Sequence, residues 1–571
     1  AEQESGLMLD WYFWQFTRST RTLDDEIDNL ENTRSGSGYE ASFTLEREGT
    51  IRMPHDVKLT LEDGSTQWVN VPLATMHGHK PVPDDWIVAE PWPWVYPKKR
   101  FTVEVPSPAV SATLDPNERT PDVNRLNNST DFPLRTRFLH APESNWSQYE
   151  LGLRPLALYA HDFGFGGGLQ ARGQYFLGDH RLRTSVTLWP EVLFSGGDDP
   201  RLAPSRPFDF AEDDQTGSWF DGIDYELRYE HPLPLVSPRA TFQVSAAKHQ
   251  GVLENRISIG TPLSSPLADT DQQLRIALLQ QLNPSDRVFG LYRSTIQLRD
   301  PQGLPIGTST YLINPWGQSH TTSARIDYSV TNGRDWISAF AEAGGSFTGY
   351  GGTQLSGPAP LDNATRASLQ AQKTASLGAL TGEAALQLSV GTDGLLPHKR
   401  FRLGGSSVEA EWRNDTYRQG SAPFNQPVSD AHLVGFGPAG PVAYLQSDGF
   451  RSSGLSGQSV IGGRLSLGGT PFPSVNPLSP LQLSVFSGAG TVWNDITINP
   501  GHDSGEWVAD AGLGARYDLS SIPHLDRWTA QSDFLQGLDV VAKFPVWASD
   551  PGLIESGQDE FKFRWLIGIE L

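Results

Sequence analysis

The chain contains no cysteine, which excludes a disulfide framework and a cysteine-based zinc site. It has no run of about eighteen apolar residues, which excludes crossing a membrane by helices. Basic residues are few for the acid present, 44 Lys and Arg against 66 Asp and Glu. The formal net charge of −22 argues against nucleic-acid binding, which needs a basic surface, and is read here as solubility of long loops. No charged stretch followed by an apolar one opens the sequence, so residue 1 is expected to follow a removed signal or a processing site. What is present is glycine (57 residues) and a tenth aromatic side chains, in a chain only 37% hydrophobic with mean hydropathy −0.38. That profile suits strands that are apolar on one face only.

The end of the chain shows the pattern best. Phe561, Phe563, Trp565, Ile567, Ile569 and Leu571 fall on one face of an extended strand, with Lys562, Arg564, Gly568 and Glu570 on the other and Leu566 the exception. Trp507, Ala509, Ala511, Leu513, Ala515 and Tyr517 alternate with Glu506, Asp510, Gly512, Gly514, Arg516 and Asp518. Leu538, Val540, Ala542, Phe544 and Val546 oppose Asp539 and Lys543; Ile223, Tyr225, Leu227 and Tyr229 oppose Asp224, Glu226, Arg228 and Glu230; Ala324, Ile326, Tyr328 and Val330 oppose Arg325, Asp327 and Ser329. Segments of about ten residues match a tilted strand crossing a bilayer, whereas strands of soluble sheets more often have about five or six. The expected fold is therefore all-β: a C-terminal transmembrane antiparallel β-barrel of about sixteen strands, preceded by a small soluble β-sandwich.

In chain order, residues 1–30 form an aromatic-rich docking or remnant segment (Trp11, Tyr12, Trp14, Phe16). Residues 31–110 read as the sandwich, with a hairpin signal at Glu62-Asp63-Gly64-Ser65. His77-Gly78-His79 has no third metal ligand in view and reads as loop. Residues 111–145 read as a linker, where Asp115, Asn117, Asp122 and Asn124 offer oxygen ligands in two alternating pairs, a calcium candidate set against an ordinary Asx-rich turn. The barrel is expected over 146–571, with short turns at Gly178-Asp179-His180 and Pro232 to Pro238, long loops at 191–221 and 392–456, and strand assignment open between 254 and 311. Gly164-Phe165-Gly166-Gly167-Gly168 is read as a flexible loop rather than a nucleotide site.

Two resemblances follow. Trp14-Gln15-Phe16, Leu23-Asp24-Asp25-Glu26-Ile27, Met53-Pro54-His55-Asp56-Val57, Leu61 to Ser65, Trp92-Pro93-Trp94 and Leu114-Asp115-Pro116 resemble, in order, the region after the catalytic domain of bacterial gluzincin aminopeptidases of the aminopeptidase N type. That family's zinc site rests on His-Glu-x-x-His, and none of the 13 histidines here begins that motif. The resemblance thus implies the non-catalytic β-domain alone. Further on, Phe401-Arg402-Leu403-Gly404-Gly405-Ser406-Ser407-Val408, Gly449-Phe450-Arg451, Ile461 to Leu467, Phe486 to Trp493, Ala511 to Arg516 and Phe544 to Trp547 resemble the sixteen-stranded barrel of the BamA and TamA superfamily, the bacterial surface antigens.

In that family an arginine of the long loop reaches a luminal aspartate. This chain has Val408-Glu409-Ala410-Glu411 in the loop and Gly488 at the aspartate's place, so both halves are missing together, and Arg413 is a possible substitute for the arginine. The luminal loop is accordingly represented by Gly404, Gly405, Glu409, Glu411 and Arg413. The family's POTRA repeats are replaced by the sandwich. These resemblances imply an outer-membrane barrel with its N-terminal domain in the periplasm, contacting lipid and, as partner, a peptidase domain or other periplasmic or outer-membrane proteins. Three functions remain open: an anchor for an aminopeptidase-like partner, an assembly or export factor, and a pore. No catalytic constellation stands out, and no cofactor is expected beyond calcium.

Overall fold

The computed structural model describes residues 2, 8–76, 78–160, 164–176, 178–190, 193, 222–249, 251–265, 267–283, 292–299, 305–313, 319–348, 362–392, 395–403, 409, 412, 439–444, 446–448, 451–453, 455–475, 478–493, 504–518, 539–551, 559–564 and 566–570. It divides into two compact units, Ala1–Leu153 with Arg172–Arg181, and Arg154–Ala171 with Leu182–Leu571.

The first unit opens with helix α1 (Asp10–Arg18) and continues into strands β1 (Asp25–Ser35), β2 (Gly38–Arg47), β3 (His55–Leu61), β4 (Thr66–Val71), β5 (Ile87–Val88), β6 (Lys98–Val105) and β7 (Ala109–Leu114). They form two sheets, β1-β2-β6 and β5-β4-β3-β7. Alternation does the sorting: Phe101, Val103 and Val105 of β6 turn inward, while Arg100, Thr102 and Glu104 of the same strand do not. The shared core holds Phe43, Leu45, Val57, Leu59, Val69, Trp92, Phe101 and Leu114, with Phe43 and Phe101 stacked at 5.8 Å. Each such side chain contributes about 1.5–3 kcal/mol by leaving water. The hairpin expected at Glu62 to Ser65 forms there: Gly64 takes the left-handed conformation (φ 82°), and the backbone N–H and hydroxyl of Ser65 both donate to Asp63.

The stretch read as a linker is folded. β7 occupies its start, a 3-10 turn spans Arg125–Asn127, and β8 (Leu134–Phe138) lies parallel to the start of the next strand, Leu134 facing Tyr149. Buried Arg125 donates to the Thr120 carbonyl, and its own N–H donates to the Tyr175 hydroxyl at 2.8 Å. These bonds satisfy polar groups that a solvated linker would leave to water.

The remaining strands are β9 (Tyr149–Ala160), β10 (Gly164–Tyr175), β11 (Asp179–Leu188), β12 (Ile223–Pro232), β13 (Thr241–His249), β14 (Val252–Pro262), β15 (Asp271–Asn283), β16 (Tyr292–Arg299), β17 (Pro305–Ile313), β18 (Ser319–Asn332), β19 (Asp335–Thr348), β20 (Asp362–Leu377), β21 (Leu380–Gly391), β22 (Phe401–Arg402), β23 (Gln446–Asp448), β24 (Arg451–Ser453), β25 (Ser456–Gly457), β26 (Ser459–Gly469), β27 (Leu481–Trp493), β28 (Trp507–Asp518), β29 (Asp539–Ala548) and β30 (Leu566–Glu570). β8 to β15, β18 to β21 and β26 to β30 close into one barrel. The open question between 254 and 311 resolves into two barrel strands, β14 and β15, and a separate hairpin, β16–β17, since β15 pairs directly with β18 from Asp271↔Thr331 to Asn283↔Ser319.

The alternation has the polarity of a membrane barrel. Ile257, Ile276, Leu278, Ile326, Leu386, Leu388, Val390, Leu465, Val485 and Leu513 are exposed on the outside, and their neighbours Ser258, Gln281, Ser323, Gln387, Ser389, Arg464 and Asp510 are buried inside. An apolar belt around a closed sheet belongs in lipid, because closure leaves no unpaired strand edge to hydrocarbon. No helix among the described residues is long and apolar enough to cross a membrane. Two details differ from the sequence reading. Gly164 to Gly168 belong to β10 and are not a loop; a Cβ on Gly166 would lie 2.6 Å from the Trp189 ring, so the glycine makes room for that indole. The final strand, expected from Phe561, spans Leu566–Glu570, while Phe561 bridges Trp547 and Trp565 and Leu571 lie outside the described residues. Pro545 sits at a register shift between β28 and β29, the place a sheet tolerates proline.

Candidate functional site in the barrel lumen

The chain between β21 and β26 turns inward. Leu395, Phe401, Leu403, Ala443, Tyr444 and Leu455 from this segment pack in one cluster with Val460, Val492, Val508 and Ala548 of the barrel wall. Glycines on the wall make the approach possible. A Cβ on Gly462 or Gly490 would strike Leu403 at 2.6 or 2.4 Å, and one on Gly488 would lie 2.6 Å from the Gly440 carbonyl oxygen.

Three polar anchors hold the inward segment. The first is built on a cross-strand pair: Glu342 of β19 and Arg366 of β20 stand opposite one another, both side chains aimed into the lumen and at most 5% exposed. Arg366 donates to Glu342 through Nε (3.1 Å) and Nη2 (2.6 Å), to Glu409 through Nη2, and to the Lys399 carbonyl through Nη1 (2.7 Å). Lys399 Nζ bridges the same two carboxylates, 3.0 Å to Glu342 and 2.6 Å to Glu409. Gln281 Nε2 also donates to Glu409 at 2.9 Å, and Ser323 to Glu342 at 2.8 Å. Arg325 also reaches Glu342 through Nη1 (3.4 Å) and pairs with Asp327 through Nη2 (2.7 Å), so the two carboxylates face three cations, and the charge-assisted hydrogen bonds offset the desolvation that a lone buried charge would not recover. A void of about 30 Å³ lies beside Glu342, Arg366 and Lys399.

The second anchor is Trp412, 6% exposed, whose indole N–H donates to the His249 carbonyl at 3.1 Å. The third is Asp510 of β28, wholly buried. It accepts the backbone N–H groups of Val442 (2.6 Å) and Ala443 (2.7 Å) from the inward segment and of Gly488 (3.1 Å) from the wall. Arg464 Nε donates to the Gly440 carbonyl at 3.1 Å, and Tyr444 hydrogen-bonds Ser549 at 3.0 Å. Chemically the arrangement can hold and position. Its charged groups are engaged with one another and with backbone.

Of the luminal residues named from sequence, Glu409 lies in this cluster. Gly404, Gly405, Glu411 and Arg413 lie outside the described residues. The loop meets the wall through ion pairs of both polarities: loop Glu409 with wall Arg366, and loop Lys399 with wall Glu342. Gly488 has no carboxylate, but its cross-strand partner is Asp510. Sequence reasoning missed Glu342, Arg366, Lys399 and Asp510. The available signal was a lone charge on the inward face of a strand, as Glu342 is between Phe340 and Gly344.

The calcium candidates are engaged in turns. Asp115 accepts from the N–H groups of Arg119 and Thr120 and from the Thr120 hydroxyl; Asp122 accepts from the N–H groups of Asn124 and Asp25; Asn124 accepts from the N–H of Leu126. Asn117 lies in the same turn. Glu26, Glu46 and Glu48 bring carboxylate oxygens within 4.8 Å of one another on the β1–β2 sheet. His79 Nδ1 lies 2.7 Å from the Lys80 carbonyl, and His77 is outside the described residues.

No protein-family model and no curated protein matches the chain. Among solved structures it is similar to BamA from Haemophilus ducreyi lacking POTRA domains 1–3, at 13% identity over 74% of this chain and 69% of that one, with a TM-score of 0.34. It is also similar to CdiB from Acinetobacter baumannii, at 10% identity over 96% of this chain and 65% of that one, with a TM-score of 0.30. The porin OccK11 (OpdR) of Pseudomonas aeruginosa matches at 11% identity over 74% and 91% of the two chains, with a TM-score of 0.23. The chain thus spans less than two thirds of the CdiB length. None of these neighbours supports the likeness of the N-terminal part to aminopeptidases.

Proposed function

We propose that this protein is an outer-membrane platform: a barrel held shut by its own inward segment, anchoring an N-terminal β-domain that docks another protein on the periplasmic side. The observation that carries this reading is the buried ion-pair cluster of Glu342, Arg366, Lys399 and Glu409, which ties the segment after β21 to the luminal wall. A conducting pore needs a water-filled lumen, and a buried, self-paired network is built for retention. The partner drawn from the sequence resemblance is an aminopeptidase-like catalytic chain, since the β-domain itself has no His-Glu-x-x-His.

Planar-bilayer recording on the purified chain, with affinity capture from its native membrane and a peptidase assay on the eluate, tests the proposal. The expected result is negligible steady conductance and a co-purifying zinc peptidase. Stable large-conductance channels would overturn the platform reading. The inward-folded loop favours a second reading, a divergent assembly or export factor. For that, depletion of the protein would lower the level of other outer-membrane barrels while leaving peptidase activity unchanged.

A further inference from the structure

Helix α1 is amphipathic in the reverse sense. Its one buried side chain is Gln15, fully enclosed, which donates to the Arg52 carbonyl (3.3 Å) and accepts from the Arg52 N–H (2.9 Å). Three of its five aromatic side chains point to solvent: Phe13 is 47% and Trp14 50% exposed, and Tyr12 is exposed beside them, while Trp11 and Phe16 are half-buried. A helix on the surface of a soluble domain ordinarily turns its apolar stripe inward. Here the amide anchors the helix, and Tyr12, Phe13 and Trp14 are left outside.

The exposed surface continues beyond the helix. Arg52, held by Gln15, places its guanidinium 4.2 Å from the Trp94 ring, and Val95 and Tyr96, which follow Trp94, are 76% and 58% exposed. Arg21 lies 5.2 Å from the Trp14 ring, and Arg18 closes the helix. In a chain of net charge −22, this patch combines exposed tryptophan, tyrosine and phenylalanine with arginine. Indole and phenol rings partition to the headgroup level of a bilayer, and arginine pairs with anionic phosphate there.

We infer that α1 and the Trp94–Tyr96 loop form a membrane-docking patch that inserts shallowly among anionic phospholipid headgroups. The inference rests on the barrel reading, because the barrel tethers this domain to a bilayer and so raises the local concentration of lipid far above that met by a free domain. Apolar insertion and charge act together: each arginine near an anionic surface strengthens association roughly fivefold.

The absence of cysteine allows single-site labelling of the full chain. Phe13→Cys, Leu278→Cys on the outer face of β15 and Glu62→Cys in the β3–β4 turn are each labelled with bimane in nanodiscs of phosphatidylcholine with phosphatidylglycerol. Quenching by lipids carrying a spin label near the headgroup is then read. Strong quenching is expected at Phe13→Cys and none at Glu62→Cys, with the Phe13→Cys signal falling severalfold in Arg18→Glu/Arg21→Glu or in pure phosphatidylcholine. Leu278→Cys reports on the barrel separately, through lipids labelled deep in the acyl chain. Quenching at Leu278→Cys with none at Phe13→Cys overturns the docking patch and leaves the barrel standing; loss of both overturns the barrel.

Discussion

Glu342 and Arg366 face each other across β19 and β20, and Arg366 passes from that wall partner to Glu409 of the inward segment. A single guanidinium thus joins wall and plug. Because Lys399 bridges the same two carboxylates and Arg325 also reaches Glu342, removal of Glu409 leaves excess positive charge in a buried site. Glu409→Ala is expected to destabilise the closed barrel by about 3–5 kcal/mol, whereas the paired change Lys399→Met with Glu409→Leu removes one charge of each sign and is expected to recover most of that loss. Heat-dependent mobility in detergent gels reads the stability, and single-channel recording reads the opening. Equal effects of the single and paired variants would show that charge balance does not hold the plug.

Asp510 fixes the other end of the inward segment through backbone rather than side chain. Asp510→Ala leaves the N–H groups of Val442, Ala443 and Gly488 without their acceptor, each costing about 1–3 kcal/mol if it stays buried. The expected response is release of 439–444 from the wall, seen as new proteolytic cleavage there while the barrel stays intact. Asp510→Asn, which keeps one acceptor oxygen, is expected to fall between Asp510→Ala and the parent.

Both anchors show how far the sequence could be read. Barrel and strand polarity follow from a period of two and from segment length, which depend on each residue's own chemistry, whereas the inward loop was implied only by the family resemblance. The Glu342–Arg366 register does not follow from that pattern, because a period of two fixes the face a residue takes but not which residue of the next strand it meets. Asp510 was visible as an inward charge, but its role required knowing that Val442 and Ala443 return to it from far away in the chain. In the N-terminal unit, hairpin and core were legible, whereas Asp115 to Asn124 could equally have been ligands or turn formers, since the same oxygens serve both.

The pH response of the N-terminal unit should carry the mark of Asp122. Burial, reinforced by the nearby Asp24 and Asp25 carboxylates, raises its pKa from 3.8 to about 6 against hydrogen bonds from the N–H groups of Asn124 and Asp25. Folding therefore favours the protonated acid. The stability it contributes is full below about pH 4 and is lost as pH rises through 6, a change on the order of 3 kcal/mol. Asp122→Asn is expected to flatten the unfolding curve of this unit between pH 4 and 6.5 and to raise its stability at neutral pH. A parent curve already flat over that window would contradict the assignment.

The Asx turns predict the outcome of chelation. With Asp115 accepting three hydrogen bonds at 2.6 to 3.0 Å in a left-handed turn (φ 43°), Asp115→Ala should cost about 1–3 kcal/mol, and Asn117→Ala much less. A chelator is expected to leave the melting temperature of this unit unchanged. A chelator-induced drop reversed by calcium would return Asp115, Asn117, Asp122 and Asn124 to the role of ligands.

Gly488 allows the sharpest test of the plug's geometry, because the inward segment meets it backbone to backbone. Any Cβ there would lie 2.6 Å from the Gly440 carbonyl oxygen and 2.8 Å from Pro441 Cα, both backbone atoms of the inward segment, so the neighbour cannot move aside by rotating a side chain. A carboxylate would add repulsion from Asp510, its cross-strand partner, which already occupies the N–H groups an acid could use. Gly488→Asp is therefore expected to expel the segment at Gly440–Tyr444, exposing it to protease and opening conductance, at a cost of several kcal/mol. Gly463→Ala one strand away, whose new Cβ would approach nothing closer than 3.7 Å, is expected to leave both readouts unchanged. If Gly488→Asp keeps the plug seated, the close approach of Gly440 to β27 is not what fits the segment to the wall.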